Sequence, residues 1–401
     1  MNSNSGSTSE HSPPRRLVLP TLAFSRFVVG TPGILFGLLL IEIGLTFGSP
    51  VGVTGQIRTA SSIMAVVSAL AMGVLSVRFD HKTLLMVGLG VCLISALGCS
   101  LALSFGMMLL FYALTGMGMA MVMPMGSTLV AEYFPLERRT GAIGWLVAGG
   151  ASSYLVGAQV IAFIAGIGGW RLAFLGFVLP SIIIGLFLVR IFLPRRKTNP
   201  GAAMGRGGYL EGLRVVASER AAAACLAGTA LRSASFQVVL LYATSLVREK
   251  FLVSRGSASM YMTSAALCYI LGSLLSGSLV ERVGRKTTTV IALLLASVFT
   301  MALTLSNNLL LALATDFISA LFFGMATSAG QSLNLEQVPR FRGPMMSMNS
   351  ATMNIGAALG AGFGGFVILM YGYEPLGVAL GVLGIIAALV IQFLAVDPTR
   401  A

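Results

Sequence analysis

The chain has 401 residues, of which 56% are hydrophobic and only 10% charged, with a formal net charge of +13. Its mean hydropathy of +0.90 excludes an ordinary soluble domain, because so little polar surface cannot cover a water-facing globule. Nucleic-acid binding is disfavoured too, since it needs a basic patch on a soluble module; the basic excess is expected to set membrane topology and to touch anionic lipid.

Residues 1–16 are polar, lack an apolar stretch followed by a small-residue cleavage site, and read as a disordered tail rather than a signal peptide. Twelve apolar runs of roughly 20 residues follow, each long enough to cross about 30 Å of hydrocarbon as helix. They fall at 20–45, 56–77, 83–104, 106–131, 141–166, 171–193, 221–247, 257–280, 287–305, 308–335, 343–371 and 373–396. Span one carries Arg26 at a depth of roughly 14 Å, then Pro32-Gly33 as a candidate bend. Glu42 lies near its far end, where Arg58 opens span two, and an interfacial Glu42–Arg58 pair is expected. Span four holds Tyr112, Pro124 and a methionine series from Met117 to Met125, read as packing. Residues 194–219 are basic and Gly-rich, the composition of a linker with a short amphipathic helix. Span seven carries Arg232 at roughly 18 Å, and Asp316 lies early in span ten. In span eleven Gly356, Gly360 and Gly364 form a stripe suited to close helix approach. Cys92, Cys99, Cys225 and Cys268 all fall inside spans and read as packing residues, not as disulfides or a zinc set.

Nineteen Lys and Arg residues fall on segments that share a side with the termini, four on the opposite segments, and three in or at the edge of spans. Loops rich in these residues stay cytoplasmic, so both termini are expected inside, in a cell (inner) membrane.

The chain repeats itself. Gly73, Arg78 and Lys82 recur 204 residues later as Gly277, Arg282 and Lys286, and Glu132, Pro135 and Arg138 recur at the same offset as Glu336, Pro339 and Arg342. The expected organisation is a tail at 1–16, a six-span bundle at 17–195, a linker at 196–219, a second bundle at 220–396 and a tail at 397–401. This is an all-α integral membrane fold of two six-helix bundles related by a pseudo-two-fold axis.

At these residues the chain resembles the major facilitator superfamily. In that family the loop after span two reads G-x-x-x-D-R-x-G-R-K/R. The second copy here, Gly277 to Lys286, matches it with Glu281 for Asp and with Arg282, Gly284 and Arg285 in place; the first copy has Val77 and Asp80 at the acidic and second-glycine positions. The resemblance implies rocker-switch alternating access and a central cavity lined by spans one, four, seven and ten. It also implies a conformational gate at Gly73, Arg78, Lys82, Glu132 and Arg138, and again at Gly277, Glu281, Arg282, Gly284, Arg285, Lys286, Glu336 and Arg342. The stretches VGVTGQIRTA, LTGMGMAMVMP and GWLVAGGASSYLVGAQ are similar to the twelve-span drug and sugar exporters. The chain departs from them with Tyr112 where they carry Arg, and with no G-P-x-x-G-G signature in span five.

Polar groups inside a membrane default to functional hypotheses. Arg26 and Arg232 sit near the midplane of counterpart spans, and two guanidinium groups left in hydrocarbon would cost about 5–7 kcal/mol on insertion scales. They should therefore face water, a carboxylate or a substrate, and their forked donors suit a carboxylate or phosphate. Tyr112, the repeat-equivalent of Asp316, is a candidate substrate contact. Asp316 has two open readings, an ion pair with Arg232 and a protonation site linked to transport, with Glu42 a second proton-coupling candidate. The only histidines are His11 and His81, and no nucleophile–base pair, metal set or nucleotide-binding G-x-x-x-x-G-K-[ST] segment is present. The expectation is a monomeric secondary carrier without cofactor or metal, with a small molecule and a proton or counter-ion as partners, and not an enzyme. Its substrate is either an organic anion bound through Arg26 and Arg232 or an amphipathic drug-like or sugar-like compound exported against protons.

Overall fold

The computed structural model describes residues 17–134, 136–194 and 206–397. The expected tail at 1–16, the final residues 398–401 and linker residues 195–205 lie outside the described residues, as do the side-chain environments of Gly73, Arg78, Arg138 and Arg342. Among the described residues there are helices and no strands, the outcome that hydrocarbon dictates, since a helix satisfies its own backbone polar groups.

Ten described helices are long and apolar enough to cross a membrane. One of them, Gly144–Phe192, is 49 residues long and folds back at Gly168 and Gly169, where the helical backbone is interrupted. Gly169 has φ +77° there, a conformation that only glycine adopts readily. Adding Gln56–Arg78, 23 residues long, gives the twelve crossings expected. Their ranges are Val18–Leu38 for span one, Gln56–Arg78 for two, His81–Ser100 for three and Phe105–Tyr133 for four. Spans five and six are built from Leu136–Ser152, Ala158–Ala173 and Leu179–Phe192, with wide π-helical turns at Ser153–Gly157 and Phe174–Val178. Spans seven to twelve are Arg220–Phe251, Arg255–Val283, Arg285–Leu305, Leu309–Gln337, Arg342–Tyr371 and Tyr373–Leu394. Phe393, Leu274 and Phe163 are each more than 70% exposed, an exterior that is stable only against hydrocarbon.

Two boundaries differ from the sequence reading for physical reasons. Span one stops at Leu38 and a short helix, Leu40–Thr46, follows, because the Leu38 carbonyl is bonded to Arg248 at 3.0 Å rather than to its own helix. Span seven runs to Phe251, 32 residues in all, or about 48 Å at 1.5 Å per residue. It overshoots the roughly 30 Å of hydrocarbon, so a residue's distance from one end of this helix does not give its distance from the other side of the membrane.

The span-eleven stripe packs as its spacing requires. A Cβ added at Gly356 or Gly360 would lie 2.1 or 2.4 Å from the carbonyl oxygens of Ala230 and Ala234 in span seven, so those backbones touch directly. In the linker, Arg206–Ser218 forms a helix whose Gly212 sits under Phe341 and Pro344.

The halves meet at the face opposite the termini. Gln56 donates to the Gly362 carbonyl at 3.2 Å, Gln159 donates to Thr263 at 3.2 Å and accepts from Ser259 at 2.8 Å, and Thr263 donates to the Tyr154 carbonyl at 2.9 Å. Gly55 makes room for the Tyr242 hydroxyl, which would be 1.7 Å from an added Cβ. Overpacking such a contact costs about 1–3 kcal/mol. Gly55→Leu should hold spans two and seven apart, lowering disulfide formation between cysteines placed at 56 and 362 by roughly tenfold; unchanged cross-linking would show that this contact does not close the face.

Candidate functional site

Arg26 projects from span one toward the bend of span four. Pro124 lacks the N–H that a helix interior needs, and the backbone beside it is used by the guanidinium: Nη2 donates to the Met123 carbonyl at 2.7 Å and to Ser127 Oγ at 2.9 Å, and Nη1 to the Met123 sulfur at 2.5 Å. Gly126 leaves space, since an added Cβ would lie 3.4 Å from Arg26 Nε. That Nε is buried and has no acceptor. The partners are two neutral oxygens and a thioether, a weak acceptor.

Arg232 is only 3% exposed. Its Nη1 donates to Thr327 Oγ1 at 2.5 Å, and its Nη2 is buried without an acceptor. One turn further along span seven, Phe236 stacks on Tyr269 with ring centroids 5.0 Å apart and planes at 15°. The Arg232–Asp316 ion pair entertained from the sequence is not formed. Asp316 accepts from the Tyr261 hydroxyl at 2.8 Å, and Thr327, which Arg232 does reach, lies eleven residues further along the same helix, roughly 16 Å in axial rise. The expected depths coincide only if span seven is as long as the hydrocarbon is thick; with the helix running on to Phe251, Arg232 lies nineteen residues, or about 28 Å, from its far end.

The expected Glu42–Arg58 pair is also corrected. Glu42 is held by the second half: Arg248 donates to both carboxylate oxygens at 2.8 and 2.6 Å, and Arg255 Nε to one of them at 2.6 Å. Arg255 also donates to the Ala165 carbonyl at 3.1 Å. Position in sequence suggested an interface because Arg58 is near the start of its helix, but its side chain turns inward. Its Nη1 would lie 3.6 Å from a Cβ on Gly33 of span one. Among the described residues no carboxylate pairs with it. Sequence reasoning missed Arg58 as a site residue; the available signal was that its repeat-equivalent is the apolar Met262. Tyr112 is fully buried, donates to the Pro32 carbonyl at 3.4 Å and packs on Phe36.

At the terminus-bearing face, Lys82 donates to the carbonyls of Arg190 and Leu193 at 3.0 and 2.5 Å, the C-terminal end of span six, where a cation is favoured. His81 meets Glu132. Asp80 caps span three, accepting from the Thr83 N–H at 3.2 Å. In the second copy Gly284 makes the turn at φ +97°, and Asp397 accepts from the N–H groups of Arg285 and Lys286 at 3.1 and 3.2 Å. Gly277, Glu281 and Arg282 are exposed, and Glu336 is half-buried.

Twelve membrane crossings in two repeated halves, joined at one face and carrying arginines of both halves within the bundle, define a membrane transporter. The sequence profile of the Major Facilitator Superfamily matches residues 22–247 and again 222–401, and the chain belongs to that superfamily; it is a secondary transporter of a small solute. The MFS-type transporter YceJ of Bacillus subtilis is 26% identical over 347 residues, covering 85% of this chain and 86% of that protein. A probable 4-methylmuconolactone transporter of Cupriavidus pinatubonensis is 23% identical, covering 82% and 77%. The crystal structure of a D-xylose–proton symporter superposes with a TM-score of 0.79 at 14% identity, covering 95% of this chain and 98% of that one. These relatives are transporters, not enzymes.

Removing one partner of a buried ion pair costs about 3–5 kcal/mol, less here because Arg255 is 40% exposed. Glu42→Gln should therefore open the face opposite the termini. Alkylation of a cysteine at 362 from that side should rise by roughly tenfold or more; an unchanged rate would remove the clamp from the account.

Proposed function

We propose that the protein carries a small organic anion across the membrane by alternating exposure of a site between its halves, the anion being held by Arg26 and Arg232. The observation that carries this reading is that the two guanidinium groups, one from each half, lie within membrane spans without a carboxylate partner among the described residues, each retaining a buried N–H that has no acceptor. Such donors are costly to leave unmet, and a carboxylate or phosphate arriving between the halves satisfies them. Arg58 adds a third cation to the same reading. The two halves, 17–195 and 220–396, act as the moving bodies of a monomer, with the termini on the cytoplasmic side of a cell membrane. The inner-loop residues Lys82, Glu132, Gly284 and their repeat partners hold the gate.

Asp316 is the proposed proton-coupling group. It is 4% exposed and bonded to a neutral hydroxyl, so a charge there has no cation to balance it. Glu42 is the second candidate, and its protonation would release two arginines at once. Export of amphipathic or sugar-like compounds is the alternative, supported by the resemblance to drug and sugar exporters.

Purified protein in proteoliposomes should bind and move carboxylates or phosphates in preference to lipophilic cations. Arg232→Ala should weaken anion binding by roughly tenfold to a hundredfold, the worth of one hydrogen bond to a charged group. Binding of lipophilic cations but not anions would give the site to the alternative. Asp316→Asn should abolish acceleration of uptake by a pH gradient while leaving anion exchange in place; an unaltered response to the gradient removes Asp316 from coupling.

A further inference from the structure

The face that closes opposite the termini holds a cavity that the anion reading does not use. Its volume is about 400 Å³, within the range of small-molecule sites. Both halves build it: Ile41, Leu45 and Val51 line it from the first, Ile368, Leu369 and Tyr373 from the second. Ile41 and Leu45 stand four residues apart on the short helix Leu40–Thr46, so they share one side of it, while Glu42 between them turns to Arg248 and Arg255. Gly52, also on the wall, meets span eleven directly, since an added Cβ would lie 2.3 Å from the Gly365 carbonyl oxygen and 3.3 Å from the Leu369 nitrogen. Gly372, at φ +81°, makes the turn that sets Tyr373 at the start of span twelve.

Three charged residues stand in a row at the end of span seven, and the middle one lines the cavity. Arg248 is bonded to Glu42. Lys250 donates to the Thr304 carbonyl at 3.1 Å and lies 3.5 Å from Glu374. Glu249 is on the wall and exposed, and no cation pairs with it among the described residues. Two hydroxyls accompany it, that of Tyr373 and that of Ser245, one helical turn before Glu249; both are buried with no hydrogen-bond partner. Among the described residues no Lys, Arg or His lines this cavity.

We infer that this cavity is a second ligand site, for a small organic cation carrying one ammonium group on an apolar body, and that a ligand in it holds the two halves together at this face. The apolar walls take the body out of water, and the ammonium donates to the Glu249 carboxylate, with the Tyr373 hydroxyl free to accept as well. An anion would meet an unpaired carboxylate and no cation. Opening the face separates the walls, so the ligand binds the closed arrangement better and shifts the equilibrium toward it. The site lies apart from the arginines: Glu249 is seventeen residues beyond Arg232 on one helix, roughly 26 Å in axial rise. It does not depend on the anion reading.

The test titrates the detergent-purified full chain calorimetrically with benzylamine, protonated at neutral pH, and with benzyl alcohol, its uncharged match in size. Benzylamine should bind more tightly by roughly fivefold, the scale of an exposed ion pair. Glu249→Gln should remove that preference while changing benzyl alcohol affinity less than about twofold. Val51→Trp, which fills the cavity, should weaken both ligands by roughly fivefold or more, and Arg232→Ala should leave benzylamine affinity unchanged. At ten times its Kd, benzylamine should slow alkylation of a cysteine at 362 from that face by up to about tenfold, the mass-action limit for a ligand of the closed state alone. No binding of benzylamine, equal affinity for the two ligands, or a preference retained in Glu249→Gln with an unchanged thermal midpoint overturns the site. Benzylamine binding lost in Arg232→Ala but kept in Glu249→Gln puts the amine among the mid-depth arginines, which overturns this inference and favours the export alternative. An alkylation rate indifferent to bound benzylamine overturns the bridging of the halves. Failure of anions to bind, with the Glu249-dependent preference intact, removes the anion reading and upholds this one.

Discussion

One carboxylate shared by two guanidinium groups decides where the halves of this protein meet. A single exposed ion pair is worth about 0–1 kcal/mol, but Glu42 is 14% exposed and receives three charge-assisted hydrogen bonds from Arg248 and Arg255. Beside it the contact is made by backbone: a Cβ on Gly52 would lie 2.3 Å from the Gly365 carbonyl, and the reverse approach is equally tight. Ion pairing and small residues act together here, because the backbones can approach only where no side chain intervenes, and the approach brings the arginines onto Glu42. At mid-depth, where among the described residues no carboxylate pairs with them, Arg26 and Arg232 meet hydroxyls, a carbonyl and a thioether instead.

The repeat conserves tasks more faithfully than it conserves residues. Asp80 and Gly284 are equivalent positions, and both stand at the turn into a helix that starts at the terminus-bearing face. In the first half the side chain itself caps the following helix. In the second half glycine takes a left-handed turn that no side chain would favour, and the missing cap is supplied by Asp397 from the far end of the chain. Each helix N-terminus gains a carboxylate for its unpaired N–H groups. The second arrangement also ties the end of span twelve to the start of span nine. The hydroxyl pairs Ser95–Thr115 and Thr300–Ser319, at 2.6 and 2.8 Å, likewise join spans three to four and nine to ten in both halves.

The architecture was legible because it is written in length and periodicity. Apolar runs located twelve crossings, the 204-residue offset located two halves, and the Gly356–Gly364 stripe located a close helix contact. The site was legible only as residue types. Arg26 and Arg232 are found because a cation in an apolar run is conspicuous, but their partners are not, since depth counted from the start of a span gives the distance to the far side only if the helix is as long as the hydrocarbon is thick. Span seven is longer than that, about 48 Å, so the expected match in depth between Arg232 and Asp316 does not hold. Arg58 was misassigned for a different reason: the start of a helix was equated with the membrane surface, whereas a long side chain directed inward can cover several ångströms. Glu42 was paired with its sequence neighbour, although the cations that reach it come from more than 200 residues away.

The placement of the arginines breaks the symmetry that the scaffold keeps. The repeat-equivalents of Arg26, Arg58 and Arg232 are Ala230, Met262 and Val28, so each cation stands opposite an apolar position in the other half. A symmetric set would double the positive charge in the same low-dielectric volume, where like charges repel strongly. The asymmetric set gives three cations, two in the first half and one in the second. Under the proposed alternating access, rocking of the halves would change the spacing between cations, which a site built within one half would not experience. An anion held across the interface would bind the two conformations unequally, and a ligand biases a conformational equilibrium only through such a difference in affinity.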